Sequence, residues 1–357
     1  MKIGMIGLPQ TGKKTLFELL SGHSPTEKEL ASGKPIKGVA EILDPRFDEL
    51  VRFYNPEKKV RARIDIEVLP KVEKDTIAKG DIFRDINELD AVCHVVRSFA
   101  DDSVYHVDGS VDPERDMDFV NNELILHDLI FIEKRMERLD KTIKQTAEEA
   151  ASKEREVLVK LKSHLDKTLP LRLLELNAEE RKIISSYPFV TRKTMFAVLN
   201  VAEDSVRDPA VMERLSRKLG ALKIDVMQVS AKVEREIAML DSEEERREFL
   251  KAEGIEEPAI NVLTRLCIKS LDLISFFTVG ADEVRQWNIR KGSLATDAAG
   301  AIHSDLRKGF IRAEVIKYAD LTALGSEEKV REAGKFYLKG KDYTVEDGDI
   351  ITIRFNV

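Results

Sequence analysis

Two cysteines, Cys93 and Cys267, are all that 357 residues contain, and both stand among apolar neighbours. So small a number excludes a disulfide framework and makes a reducing, intracellular compartment the expected setting. Excess positive charge is missing as well: 58 Lys and Arg against 65 Asp and Glu give a net charge of −7. That balance argues against a protein that coats bare nucleic acid, while leaving room for a local basic patch that docks on a ribonucleoprotein. No run approaches ~18 consecutive apolar residues, and the opening MKIGMIG has no charged-then-apolar leader. The expectation is a soluble cytoplasmic protein with no membrane partner, long enough for two or three domains.

What is present begins with alternation. Residues 2–6 form a short apolar run that feeds a helical pattern over 13–21, and VRARIDIEVL (60–69) alternates apolar and polar with period two. AVCHVVRSF from Ala91, TMFAVLNV from Thr194 and KIDVMQVSA from Lys223 are further strand runs. Strands separated by helical patterns predict an α/β layer fold with a mostly parallel sheet. Glycine and proline vanish between about Asn121 and Leu169, where charge is dense. There Leu129, Ile132, Met136, Leu139 and Ile143 step by three and four, and Leu158, Leu161 and Leu165 resume the step after a polar stretch. This predicts a projecting antiparallel coiled-coil hairpin; amphipathic helices lying on the sheet are the plainer alternative. After Leu271, FFTVG, VRQWNIR, FIRAEVIKY and DIITIRFNV read as strands around one helical segment, TDAAGAIHSDLRKG, with turn chemistry at Glu346-Asp347-Gly348-Asp349. The expected domains are a nucleotide-binding domain over 1–270, interrupted by the hairpin at 122–186, and a compact α+β module over 273–357.

The stretch GLPQTGKKT, residues 7–15, matches the phosphate-loop spacing G-x-x-x-x-G-K-[ST] except at its last position, where Lys14 stands. Apolar strand, glycine loop and amphipathic helix follow one another, which is the context such a loop needs. Glycines let backbone N–H groups approach phosphate oxygens, the helix N-terminus adds its dipole, and the lysine reaches the outer phosphates. Gly7, Pro9, Gln10, Thr11, Gly12, Lys13, Lys14 and Thr15 are therefore the expected phosphate-side contacts; an ordinary glycine-rich turn is the alternative.

Longer segments carry a resemblance: IGLPQTGKKTLF, ILDPRFDEL, DAVCHVVRSFADD with VYHVDGSVDPERD, FAVLNVAED, VSAKVEREIAML, LDLISFFTVGADEVRQWNIRKGS, AAGAIHSDLRKGFIRAEV and GKDYTVEDGDIITIRFNV. Over most of its length the chain resembles the YchF/Obg-like ATPases, translation-factor-class P-loop proteins. The resemblance implies an inserted helical arm, a C-terminal ubiquitin-like TGS domain, binding of ATP (or GTP) with ATP preferred, and association with the ribosome or translation-associated proteins. RNA contact through the TGS domain and the arm is part of the same expectation. It places base recognition at Asn200, Ala202 and Glu203, and a second base-contacting loop at Ser230, Ala231 and Lys232. Guanine-specific relatives carry an aspartate where Glu203 stands, and it takes two donors that adenine lacks. Asn with Glu three residues later is also a helix capping box, so that alternative stays open. His106, in VYHVDG, falls where the family has its catalytic histidine; a plain surface histidine is the other reading.

Departures from the family converge on the metal. Lys14 replaces the serine that ligates magnesium, and an ammonium cannot ligate it. Where the family has aspartate-x-x-glycine, Asp65 or Glu67 is followed three residues on by Val68 or Pro70, and the glycine-rich segment beyond is KVEKDTIAKGD. Thr15 offers a hydroxyl one residue late, ~100° around the helix; Ser32 aligns with a metal-facing threonine. Thr15, Ser32 and Asp65 are thus weak metal candidates, and magnesium is expected to be weakly held or dispensable. Two functions follow: a nucleotide-binding protein with weak or lost magnesium-dependent hydrolysis, or an ATP/GTP hydrolase cycling on the ribosome. Lys14 is expected to lie against phosphate oxygens when nucleotide is present and otherwise to pair with Asp65 or Glu67; the plain alternative turns it to solvent.

Overall fold

In the computed structural model, residues 1–70, 81–101, 103–146, 149–206 and 210–356 are described. The chain folds as two units, one of residues 1–39 and 65–260, the other of residues 40–64 and 261–357.

The first unit is built on a sheet of β1 (Lys2–Ile6), β2 (Ile36–Glu41), β4 (Arg63–Val68), β5 (Ala91–Ser98), β6 (Thr194–Val201) and β7 (Asp225–Val229), in the order β2-β4-β1-β5-β6-β7. The pairs β1–β4, β1–β5, β5–β6 and β6–β7 are all parallel. A parallel sheet is covered on both faces, which explains why β5 and β6 are continuous apolar runs buried along almost their whole length. β1 ends at Ile6, the loop follows, and α1 (Lys13–Ser21) buries Leu16 and Phe17.

The glycine-free segment is a long helix, Pro113–Thr146, followed by a second, Glu149–Leu165. The long helix starts upstream of residue 122 because Asp112 Oδ1 accepts the N–H groups of Glu114 and Arg115, a cap the periodicity does not show. Its 34 residues span about 51 Å and serve two cores. Met117, Val120 and Leu124 pack in the sheet core, whereas Ile125, Ile132 and Leu139 pack with Val157, Leu158, Leu161 and Leu165 of the second helix. The stripe therefore buries itself on its partner helix, not on the sheet. Arg135–Glu154 and Arg155–Asp140 ion pairs set the antiparallel register. Between the two cores lies Asp128, fully buried, whose carboxylate accepts from Val190 N, Thr191 N and the Thr191 hydroxyl.

The second unit carries a mixed sheet in the order β11-β10-β12-β8-β9-β3, with β3 (Lys58–Val60), β8 (Leu273–Thr278), β9 (Glu283–Arg290), β10 (Phe310–Lys317), β11 (Phe336–Lys339) and β12 (Asp349–Phe355). A helix, Ala295–Ile302, buries Ala295, Ala298 and Ala299 against Phe276, Val315 and Ile351. Assigning all of 1–270 to the nucleotide-binding domain is corrected here: residues 40–64 and 261–270 fold with the C-terminal module. The cause is packing. Helix Pro45–Tyr54 puts Phe47 and Leu50 into a core with Phe277, Val284 and Ile316, and β3 adds a parallel strand to β9. Arg46 pairs with both Asp44 and Asp347 at 2.7 Å.

Candidate nucleotide-binding site

The loop occupies the carboxyl end of β1, where ligands of parallel α/β sheets bind. Its two glycines have backbone reasons. Gly7 has φ 146° with the Val95 carbonyl 2.3 Å from where a Cβ would stand, and Gly12, at φ 89°, has the Asn200 Nδ2 2.2 Å from that point. Lys13 is buried, and its ammonium donates to the Gly7 carbonyl at 2.7 Å and the Leu8 carbonyl at 2.6 Å. In β5, His94 is 1 % exposed. Burial, with the Lys13 charge as a second cause, pushes its imidazole down to about 3, so the ring is neutral.

On one side of the loop is a cavity of about 910 Å³ lined by Gln10, Gly12, Thr15, Asn200, Ala202, Glu203, Ser230, Ala231 and Lys232. These nine are among the residues expected there; Phe99, Ala100, Asp101, Val104, Val201, Asp204, Arg235 and Glu253 also line the cavity and were not. Asn200 is a strut: its Nδ2 donates to the Thr11 carbonyl at 3.1 Å, and its Oδ1 accepts the Ala231 N–H at 3.0 Å. It lies inside β6, and the short helix beginning at Glu203 has Ala202 at its N-cap with no side-chain cap. The capping-box alternative therefore fails. Ser230 caps the helix Ala231–Met239 instead. Glu203 pairs with Lys232 at 2.5 Å, and this bond holds the Lys232 ammonium above its ordinary range.

On the other side is a cavity of about 340 Å³ lined by Pro9–Thr15, Glu29, Leu30, Gly33, Lys34, Ile36 and Val68–Pro70. Lys14 lines it, is exposed, and makes no hydrogen bond or ion pair among the described residues. The expected pairing with Asp65 or Glu67 is corrected by the register of β4. Asp65 lies opposite Lys2 and Glu67 opposite Gly4, so Asp65 is roughly 16 Å of strand short of Gly7. Asp65 pairs with the N-terminal amine at 3.9 Å, and Glu67 lies 3.8 Å from Lys2 and 4.0 Å from Lys37. Asp65 is thereby removed as a metal candidate. Ser32 ends a short helix, donates to the Glu29 carbonyl at 2.7 Å, and does not line the cavity. Thr15 lines both cavities. The Lys14 ammonium, Val68, Leu69 and Pro70 cannot ligate magnesium, which needs oxygens in octahedral array; among the lining residues, Gln10, Thr11, Thr15 and Glu29 carry the side-chain oxygens. Most of KVEKDTIAKGD, residues 71–80, lies outside the described residues.

His106 is buried and lines neither cavity. Its Nδ1 accepts the Asp108 N–H at 3.1 Å, so Nε2 carries the proton and donates to Asp116 Oδ2 at 3.0 Å, at the start of the long helix. This bond anchors the loop. The sequence reading missed Arg97. It is 2 % exposed, and its guanidinium donates to the carbonyls of Phe99, Asp101, Val104 and Tyr105, shaping the loop that closes the larger cavity. A charged residue inside the apolar run AVCHVVRSF was the available signal.

Comparison with known proteins adds an independent line. Residues 273–356 match the YchF-GTPase C-terminal family, described as a protein of unknown function. The chain is 38 % identical over 364 residues to the ribosome-binding ATPase YchF of Bacillus subtilis, covering 99 % of each chain. It is 39 % identical over 365 residues to the protein of the same name from Haemophilus influenzae, covering 100 % of this chain and 99 % of that one. The solved structure of the Schizosaccharomyces pombe YchF GTPase superposes with a TM-score of 0.81 at 30 % identity, over 99 % of this chain and 97 % of that one. A GTP-binding protein from Pyrococcus horikoshii, at 22 % identity and a TM-score of 0.58 over the full length of both, shares the fold.

Proposed function

The chain belongs to the YchF family, and on that premise we propose that it binds ATP in preference to GTP, associates with the ribosome, and hydrolyses nucleotide slowly because its metal side is rebuilt. The observation that carries the reading is Lys14: a cation on the first turn of α1, exposed in the cavity beside Val68, Leu69 and Pro70. There it serves as a monovalent stand-in for the ion, lying against phosphate oxygens on its flexible stem. One positive charge replaces two, and phosphoryl transfer depends on positioning and on neutralising developing charge. The chain's own groups do the rest. Loop N–H groups and the α1 N-terminus hold phosphate, Lys13 is placed by the loop carbonyls, and Asn200 fixes the loop against the Ser230–Ala231 turn. Preference for ATP is supported by the Glu203–Lys232 pair. A carboxylate already bonded to an ammonium is a poorer acceptor for the two donors of a guanine edge. Ribosome association is supported by the similarity to the ribosome-binding ATPases of Bacillus and Haemophilus.

The experiment is ATP affinity in EDTA and in excess magnesium, by calorimetry, for wild type and Lys14→Ser. Wild-type affinity is expected to survive EDTA, and Lys14→Ser to gain magnesium dependence of about tenfold, worth ~1.4 kcal/mol. A wild type that needs magnesium to bind, with single-turnover hydrolysis at an ordinary rate for the family, selects the cycling hydrolase instead; the Thr15 hydroxyl, which lines both cavities, is the feature that favours that reading. Co-sedimentation with ribosomes through sucrose checks the partner, and failure to pellet at low salt rejects it.

A further inference from the structure

The smaller cavity beside the phosphate loop lies wholly in the first unit, and its charges are uneven. Its lining holds three ammonium groups, Lys13, Lys14 and Lys34, against one carboxylate, Glu29. The loop carbonyls of Gly7 and Leu8 engage Lys13. Lys14 and Lys34 are both exposed, and neither side chain makes a hydrogen bond or ion pair among the described residues. Lys14 lines the cavity from the first turn of α1 and Lys34 from the turn before β2, so two separate elements bring a cation to one space.

Most side-chain oxygens of the same lining are committed. Thr11 is buried; its hydroxyl donates to the Leu8 carbonyl at 3.2 Å and lies 3.4 Å from the Lys13 ammonium. One Glu29 oxygen accepts the Thr26 N–H and the Thr26 hydroxyl, each at 2.8 Å, and the other lies 3.2 Å from His23 Nε2. The Thr15 hydroxyl and the Gln10 amide remain. Magnesium that arrives on a nucleotide is ordinarily held by one or two carboxylates beside phosphate oxygens and water. Here it meets no uncommitted carboxylate and two ammonium groups of its own sign, which repel it more strongly the nearer they stand. A bare triphosphate meets the opposite balance. Magnesium cancels two of its negative charges, whereas the metal-free form keeps them for charge-assisted hydrogen bonds with the lysines. Together Lys14 and Lys34 carry the same charge as the ion.

We propose that this site takes the metal-free nucleoside triphosphate, that Lys34 is a second phosphate-positioning cation beside Lys14, and that magnesium antagonises binding by converting the ligand into a form the two lysines hold poorly. This rests on Lys14 meeting phosphate, and it goes beyond a magnesium ion that the site can do without: free magnesium becomes a regulator that empties the site.

The full-length protein is titrated by calorimetry with the β,γ-imido analogue of ATP, which is not cleaved at that bond, at a series of free magnesium concentrations and constant ionic strength. Wild-type affinity is expected to fall at least tenfold between EDTA and excess magnesium. Lys34→Gln, at an exposed position, should lose at least threefold in EDTA and show a smaller magnesium penalty, and Lys34→Arg, which keeps the charge, should retain the wild-type penalty. In the double variant Lys14→Ser with Lys34→Gln the sign should reverse, magnesium now tightening binding. Lys37→Gln controls for surface charge: Lys37 is exposed, lies 4.0 Å from Glu67 and does not line the cavity, so its variant should keep the wild-type penalty. Thermal melts establish that each variant is folded. Equal wild-type affinity in EDTA and in magnesium overturns the antagonism while leaving ATP binding through Lys14 standing; a wild type that binds only with magnesium overturns both. A Lys34→Gln profile equal to wild type or to Lys37→Gln, or a double variant that keeps the wild-type penalty, removes the lysines as its cause.

Discussion

The two sides of the phosphate loop are built differently. On the base side, Asn200 ties the Thr11 carbonyl to the Ala231 N–H, Ser230 caps the next helix, and Arg97 gathers four carbonyls around the rim. On the metal side, the Lys14 ammonium, with no hydrogen bond or ion pair among the described residues, shares a cavity with Val68, Leu69 and Pro70, and the acidic side chains Asp65 and Glu67 of β4 are held elsewhere by Lys2, Lys37 and the N-terminal amine. The contrast teaches that holding a nucleotide and cleaving it make separable demands on one loop. Backbone groups and a strut serve the first; the second calls for oxygen ligands, and at the cavity wall formed by Lys14, Val68, Leu69 and Pro70 no side-chain oxygen is present.

The sharpest way to break the contrast is Asn200→Ala. It leaves a carbonyl and an N–H unpaired next to a buried cavity wall, at about 1–3 kcal/mol for each group. Calorimetric ATP affinity is expected to fall at least ~30-fold, or ~2 kcal/mol, with a lower melting temperature; an unchanged affinity would show that the base side is not what holds the ligand. Next in size is the buried His94 of β5, whose imidazole feels the Lys13 charge. Its pKa of about 3 in the folded protein lies below the ordinary 6.5, so only the unfolded chain takes up this proton as pH falls. Stability is therefore full above pH 6.5 and declines below it by about 1.4 kcal/mol per pH unit until the folded value is reached. Denaturant titrations between pH 6.5 and 5, above most carboxylate titration, should show that slope in wild type and lose it in His94→Gln. A wild type with a flat profile in that window refutes the assignment. Smallest is Glu203→Asp. The shorter carboxylate no longer reaches Lys232 at 2.5 Å and is released toward the cavity. The ATP-to-GTP affinity ratio should shift toward GTP by several-fold, roughly 1 kcal/mol, and equal ratios in the two proteins would remove Glu203 from base selection.

Much of this was legible in the sequence because it was local. The loop follows from glycine spacing after an apolar run, and α1 occupies the residues 13–21 that the helical pattern marked. The paired helices follow from leucines at three- and four-residue steps in a segment without Gly or Pro. What escaped was set by partners distant in the chain. Residues 58–60, KKV, have no strand pattern of their own and become one only because β9 offers an edge more than two hundred residues later. Asp65 has the right chemistry for a metal, yet only the register against Lys2 shows that it lies at the wrong end of the strand. Arg97 and His94 stand in an otherwise apolar run, where periodicity marks the strand but cannot tell which carbonyls or charges will meet them.

The long helix has a consequence of its own. Its first turns hold Asp116, which anchors His106 in the loop that Arg97 organises around the larger cavity. Its middle is clamped at Asp128, and its far half belongs to the hairpin core. A rod continuous through both regions makes them parts of a single thermodynamic cycle. Any partner that grips the hairpin and shifts the rod toward one of two seatings alters nucleotide affinity by some factor, and the nucleotide must then alter that partner's affinity by the same factor.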